Sequence, residues 1–241
     1  MKILTLNIWR YFDWEKRKSN LIKFLKKENA DIVFLQEAAF DDRLKWDNQV
    51  QEINFELNYK SKAFCKLREM TLWNNVPIDW IMYYGQGFLT KYPIIKTQEV
   101  LLKPVLKEQG LGFLYVQVQT PEGKLDLINV HFENTDSGSE QHLKETLKWC
   151  KKKKIQPIIA GDFNMIKTEV LIKHALKDYE ISYLFKPYKS FMPTAFSYNK
   201  EPVTLDYILI PKKFKFKKLQ CITNKVSDHN PLIVEVSLAG D

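Results

Sequence analysis

Little in this 241-residue chain points to stapling or to a membrane. It holds only three cysteines, Cys65, Cys150 and Cys221, with no CxxC spacing and an odd thiol left over in any pairing. That argues against both a zinc knuckle and a disulfide framework, and it fits a reducing, cytoplasmic compartment. No run of about 18 apolar residues occurs, so no membrane-spanning helix is expected. Met1–Trp9 is too short, and too interrupted by Thr5 and Asn7, to be a secretory h-region, and reads as a strand. Arginine is scarce as well: among 37 basic residues only Arg10, Arg17, Arg43 and Arg68 are arginine. Such a skew follows from coding composition as readily as from selection for a polyanion. The net charge of +8 is therefore a modest pointer to phosphate-bearing partners. Repeats, linkers and low-complexity segments are also missing. A composition of 45% hydrophobic and 13% aromatic residues excludes a disordered tail or a fibrous repeat. Residues 1–241 read as a single domain, expected to be a monomer.

What is present is a succession of short apolar runs. Ile3–Ile8, Ile32–Leu35, Gly87–Leu89, Ile94–Leu101, Gly112–Gln119, Leu125–Val130, Pro157–Ala160, Val203–Ile210 and Leu232–Val236 read as strands. Thr120-Pro121-Glu122-Gly123 supplies turn chemistry between two of them. Trp14–Glu28 carries Leu21, Ile22, Phe24 and Leu25 at helical spacing, and Asp41–Phe55 and Val170–Leu176 read as helices. A further helix is expected from near Ser139, with Asp136 and Ser137 as caps, to the Lys151–Lys154 run. Tyr59–Tyr84 follows no single period.

The short polar motifs cluster at strand ends. Gly161-Asp162-Phe163-Asn164 follows the apolar Ile158-Ile159-Ala160, and Ser227-Asp228-His229-Asn230 precedes the strand Leu232–Val236. A hard cation asks for carboxylate oxygens, and an attacking water asks for a carboxylate or amide to orient it. Taken alone, each motif is equally well a polar turn whose side chains bond their own backbone. Asp206 opens the strongly apolar Tyr207–Ile210, where a buried carboxylate needs a partner, and a histidine is the natural one. Gln36-Glu37, Asn7 and Asn129-Val130-His131 repeat the pattern of apolar strand followed by polar residue. Of the four histidines, His131 and His229 lie in such motifs, whereas His142 and His174 fall in helices and read as surface residues.

The joint order is more specific than any one motif. LNIW (6–9), FLQE (34–37), GFLTKYPI (87–94), INVHFEN (128–134), IIAGDFN (158–164), LDYILI (205–210) and SDHNPLIVEV (227–236) resemble, in sequence and order, the endonuclease/exonuclease/phosphatase family. That is the family of deoxyribonuclease I, exonuclease III, neutral sphingomyelinases, inositol-polyphosphate 5-phosphatases and mRNA deadenylases. The resemblance implies a deoxyribonuclease I-like four-layer α/β sandwich, with two mixed β-sheets packed face to face and helices outside. It also implies a divalent metal, Mg²⁺ with Mn²⁺ as a substitute, and in-line hydrolysis of a phosphoester. By that resemblance Glu37 is the main metal carboxylate, with Asn7 and Asp228 completing its shell. Asp162 orients or deprotonates the water, and Asn164 holds a phosphate oxygen. Asp206 pairs with His229, which faces the scissile phosphate, and His131 contacts it on the leaving-group side.

Departures from the family pattern bear on substrate. Asn129-Val130-His131-Phe132 stands where exonuclease III-like apurinic endonucleases carry a Tyr-Pro-Asn type motif. This places the chain nearer the His-containing branch of deoxyribonuclease I, sphingomyelinases, deadenylases and tyrosyl-DNA phosphodiesterases. Ile8-Trp9 after Asn7 lacks the carboxylate of the Asn-x-Asp motif that those last enzymes carry. The leading reading is a metal-dependent phosphodiesterase acting on nucleic acid, with Trp9, Tyr11, Trp73 and Trp80 as aromatics able to stack on bases. The alternative is a sphingomyelinase-like lipid or small-molecule phosphodiesterase, docking on a membrane surface through Met70–Tyr84. A non-catalytic binding module of the same fold ranks last, because every acidic and histidine position of the motif set is filled.

Overall fold

The computed structural model describes residues 1–44, 48–73, 76–105, 111–185, 194–196, 202–223 and 225–240. Its first unit is a strand–helix–strand crossover: β1 (Lys2–Asn7), α1 (Trp14–Glu28) and β2 (Ile32–Asp41), with β1 and β2 parallel. α1 turns Trp14, Arg17, Leu21, Ile22 and Leu25 inward at helical spacing and ends where Asn29 takes the left-handed conformation. α2 (Gln49–Leu57) follows, then a long hairpin of β3 (Ser61–Trp73) and β4 (Val76–Thr90). β5 (Ile94–Leu101), β6 (Gly112–Thr120) and β7 (Gly123–His131) form a meander leading into the second crossover. That crossover is α3 (Asp136–Lys153) and β8 (Ile158–Asp162), with β7 and β8 parallel. The remaining elements are α4 (Thr168–Ala175), β9 (Tyr179–Ile181), the short pair β10 (Ala195–Phe196) and β11 (Pro202–Val203), β12 (Asp206–Pro211), β13 (Phe214–Cys221) and β14 (Leu232–Leu238).

The strands make two mixed six-stranded sheets, ordered β13-β14-β1-β2-β4-β3 and β5-β6-β7-β8-β12-β9. Each has one parallel pair at its centre, because only there does a helix carry the chain back. The period-two alternation of side chains sorts the residues into layers. Ile3, Ile32, Phe34, Leu127, Ile158, Ala160, Ile208 and Val234 meet between the sheets. Leu4, Leu6, Val33 and Leu35 face α1 and α2, while Ile128, Val130, Ile159 and Leu209 face α3 and α4. The result is the expected four-layer sandwich of two face-to-face mixed sheets with helices outside.

Several expectations change at the element level. Tyr59–Tyr84 is not irregular but is most of the β3–β4 hairpin, whose register shifts twice, after Lys66 and after Met70. β2 runs through Gln36 and Glu37 as far as Asp41, so the expected Asp41–Phe55 helix shortens to α2, with 45–47 outside the described residues. α3 begins at Asp136, and its cap is Thr135, whose hydroxyl accepts from the Gly138 N–H. β13 was not legible at all.

Candidate active site

The inner-facing row of each central strand changes from apolar to polar at the same end of the sandwich. Along β1 it reads Ile3, Thr5, Asn7; along β7 Leu127, Asn129, His131; along β8 Ile158, Ala160, Asp162. β12 runs the other way and places Asp206 opposite Asp162. Gly161 makes the close approach of β8 to β7 possible: its φ is +143°, and an added Cβ would lie 2.1 Å from the Val130 carbonyl oxygen.

Glu37 reaches this row only through an irregularity. A regular strand with Ile32, Phe34 and Gln36 inward would send Glu37 to the helix side. The β2–β4 register instead shifts between Leu35 and Ala38, and Glu37 adopts φ +50°. Such a bulge re-aims one side chain without ending the strand.

The converging groups are close. Asn7 Nδ2 donates to Asp162 Oδ2 at 3.1 Å and to Glu37 Oε1 at 3.3 Å. His131 Nε2 is 3.8 Å from Asp162 Oδ2 and 4.0 Å from Glu37 Oε1. His229 Nε2 lies 3.7 Å from Asp162 Oδ2, while its Nδ1 bonds Asp206 Oδ2 at 2.8 Å. Asn164, also left-handed at φ +47°, donates its backbone N–H to Asp162 Oδ1 and its side-chain amide to the Phe132 carbonyl. Asp228 is exposed beside this group, with its Oδ1 bonded by the Ser227 hydroxyl. Trp9 sits on the rim, stacked on Phe12 at a ring distance of 4.0 Å.

Electrostatics follows from this crowding. Burial alone would lower His229, but Asp206, Asp162 and Asp228 outweigh it and push the imidazole up to about 10. The surrounding carboxylates thus favour the imidazolium form of His229. Burial would raise Glu37, yet His131, Arg10 and the Asn7 amide hold it below its usual range.

Two arginines not singled out in the sequence belong to this site. Arg10 places Nε 2.8 Å from Glu37 Oε2 and its guanidinium over the Tyr84 ring. Arg17 is buried and donates to the carbonyls of Ile8, Trp9, Arg10, Phe12 and Val226, tying the β1–α1 loop to the segment before Asp228. The available signal was their rarity, since a chain that otherwise uses lysine retains arginine where a planar fork is needed. Arg68 also lies over Tyr84, whose ring is 6.4 Å from that of His131. His142, expected at the surface, is fully buried. Its Nδ1 accepts from the Glu133 N–H and its Nε2 faces the Lys103 carbonyl. The Trp73 side chain lies outside the described residues.

The donor chemistry suits a hard divalent cation. Among the described residues Glu37 Oε2 is buried with no hydrogen-bond partner, and lies 2.8 Å from the charged Arg10 Nε. Among the described residues, the ligand atoms of Asp162, Asp206 and His229 lie within 4.8 Å of one another. Asp206 and His229, however, are spent on each other. Asn7 turns its Nδ2 toward the carboxylates and its Oδ1 to the Trp9 N–H, so in this conformation it organises the acids.

This arrangement has relatives. The profile of the Endonuclease/Exonuclease/phosphatase family matches residues 4–229, and the chain belongs to that family. Among curated proteins none matches. Among solved structures, a family protein from Leptotrichia buccalis is 16% identical over 99% of this chain and 100% of its own, with a TM-score of 0.78. The human Nocturnin catalytic domain with bound sulfate is 18% identical over 99% and 93%, with a TM-score of 0.75. A Bacteroides thetaiotaomicron mannosyl-6-phosphatase is 14% identical over 99% and 100%, with a TM-score of 0.72. These likenesses show the fold. The family is in general one of hydrolytic phosphoesterases, usually dependent on a divalent metal.

Proposed function

We propose that the chain is a Mg²⁺-dependent phosphodiesterase that cleaves a phosphoester in nucleic acid, with Mn²⁺ as a substitute metal. The observation that carries this reading is the convergence of Asn7, His131 and His229 on one carboxylate oxygen of Asp162, beside Glu37. Glu37 and Asp228 would hold the metal, with Asn7 joining them if its amide turned over at the cost of the Trp9 N–H bond. When bound, the ion supplies charge neutralisation at the phosphoryl oxygens. Asp162, fixed by Asn7 and the Asn164 N–H, orients the attacking water. His229, charged and steered by Asp206, presents a positive N–H where negative charge develops. His131 faces the same space on the leaving-group side, and Asn164 borders it as a contact for a phosphate oxygen.

Three features favour nucleic acid: the net charge of +8, the Trp9–Phe12 stack on the rim, and Arg10 and Arg68 about Tyr84. One observation favours the lipid reading, namely that Val76 and Ile81 on the β3–β4 hairpin are exposed. Among the described residues no helix is long and apolar enough to cross a membrane. We assign a single domain over 1–241, acting as a monomer, and place it in the cytoplasm because its three cysteines are free and buried, as a reducing compartment allows.

The test is hydrolysis of single- and double-stranded DNA, RNA, a phosphotyrosyl-DNA end and sphingomyelin, each with a chelator control. Cleavage of a nucleic acid is expected to fall by ~10²–10⁴ in His229→Ala and in Asp162→Ala. Full activity in either variant would sink the mechanism, and turnover of sphingomyelin alone would sink the substrate.

A further inference from the structure

Asn129 repeats the apolar-then-polar pattern of the site motifs, but the fold does not place it at the site. It is fully buried on the inner face of β7, one inward position before His131, between the two sheets. Its amide is completely used. Nδ2 donates at 2.9 Å to the carbonyls of both Leu35 and Gly87, and Oδ1 accepts from Gln36 Nε2 at 2.7 Å. Gln36 is locked in turn to Thr5 of β1.

All three partners sit at one spot. Leu35 and Gly87 are the last residues in register before the β2–β4 bulge, and Gln36 is the residue before Glu37. Without the bulge, Glu37 points to the helix layer. We propose that Asn129 is a positioning residue: reaching across from the opposite sheet, it pins the bulge in β2 and so holds the left-handed Glu37 at the site. Only a carboxamide offers two donors and one acceptor at this reach. Aspartate would set a carboxylate against two carbonyl oxygens. Leucine, of nearly equal size, would take the amide donors from both carbonyls and the acceptor from Gln36, leaving the Gln36 side chain held by Thr5 alone. The consequence for function is that Glu37 is aimed by the packing of one sheet on the other, and not by its own strand.

The inference rests on the reading of Glu37 as a metal carboxylate, and the experiment separates the two. Mn²⁺ affinity of the full chain is measured by titration calorimetry for wild type, Asn129→Leu, Glu37→Gln, the double variant, and Leu143→Ala as a core-destabilised control. Leu143 is buried against the outer face of the second sheet, away from the bulge. Asn129→Leu is expected to weaken Mn²⁺ about 10–100-fold, as loss of a residue supporting a ligand does. Leu143→Ala should not weaken it, and Asn129→Leu should add nothing in the Glu37→Gln background. Asn129→Ser, which keeps one donor, should fold more readily and show a smaller loss of the same kind. Unchanged affinity in Asn129→Leu or Asn129→Ser, a loss equal to that of Leu143→Ala, or an additive double variant would overturn the positioning role. Unchanged affinity in Glu37→Gln would overturn the reading of the metal site itself, and this inference with it.

Discussion

A carboxylate buried at the head of an apolar strand needs a partner, and Asp206 finds it in His229 Nδ1 at 2.8 Å. The pairing fixes which imidazole nitrogen faces Asp162 and keeps the ring charged. Asp206→Asn retains the shape and removes the charge that chiefly raises His229, so the imidazole should titrate well below its position in the wild type. The expected outcome is a kcat about 10–100-fold lower, with the alkaline limb of the rate profile moved to lower pH. An unshifted His229 titration by NMR in the variant would contradict this. This pair was legible in the sequence because burial of a lone carboxylate is costly enough to demand an explanation. Arg17 and Asn129 were not, since both act on backbone carbonyls, and a carbonyl leaves no mark in a residue pattern.

At the scale of elements, what could be read depended on an unbroken alternation. β1, β7 and β8 keep it, and their residues point where the sequence says. The β3–β4 hairpin loses it at two register shifts, and β13 loses it between Phe216 and Lys218, where a bulge interrupts the rhythm among its three lysines. α3 shows the opposite failure, in which a polar residue that reads as surface belongs to the interior. His142 is buried in α3 as a neutral ring, bridging the Glu133 N–H and the Lys103 carbonyl and so tying the strand-end segment after β5 to the start of the helix. Burial lowers its pKa, against the pull of the Lys103 carbonyl and of the Glu133 and Glu145 charges and with a push from His131. As pH falls below the ordinary value of 6.5, the unfolded chain takes up a proton that the folded chain resists. Stability is therefore fully present above that pH and declines below it, by up to about 1.4 kcal/mol per pH unit for this group. Urea unfolding from pH 7.5 to 5 should show this slope in wild type. His142→Gln, which offers an acceptor and a donor that do not titrate, should lose it. A variant as acid-sensitive as wild type would place the effect elsewhere.

Over the whole molecule, the distribution of charge matters more than its sum. The Lys151–Lys154 run ends α3, whose first turn lies just after His131. At ~1.5 Å per residue, the 18-residue helix carries that run roughly 27 Å from the site end of the sandwich. There it complements the helix dipole and faces solvent. Among the described residues, the arginines beside the reacting space are instead Arg10, on Glu37, and Arg68, on Tyr84. Two populations of positive charge follow, a diffuse lysine coat and a local arginine pair, and they separate experimentally. Replacing Lys151–Lys154 by glutamine should leave KM for a short oligonucleotide unchanged, and the salt dependence of its binding unchanged as well. Were the run to track a phosphate backbone, the log–log salt slope would drop by about 0.9 for each phosphate no longer neutralised. Arg68→Gln should raise KM for the same substrate several-fold and leave thermal stability close to wild type. If the lysine variant shifts the slope and the arginine variant does nothing, the substrate path runs along α3, and the hairpin wall around Tyr84 does not line it.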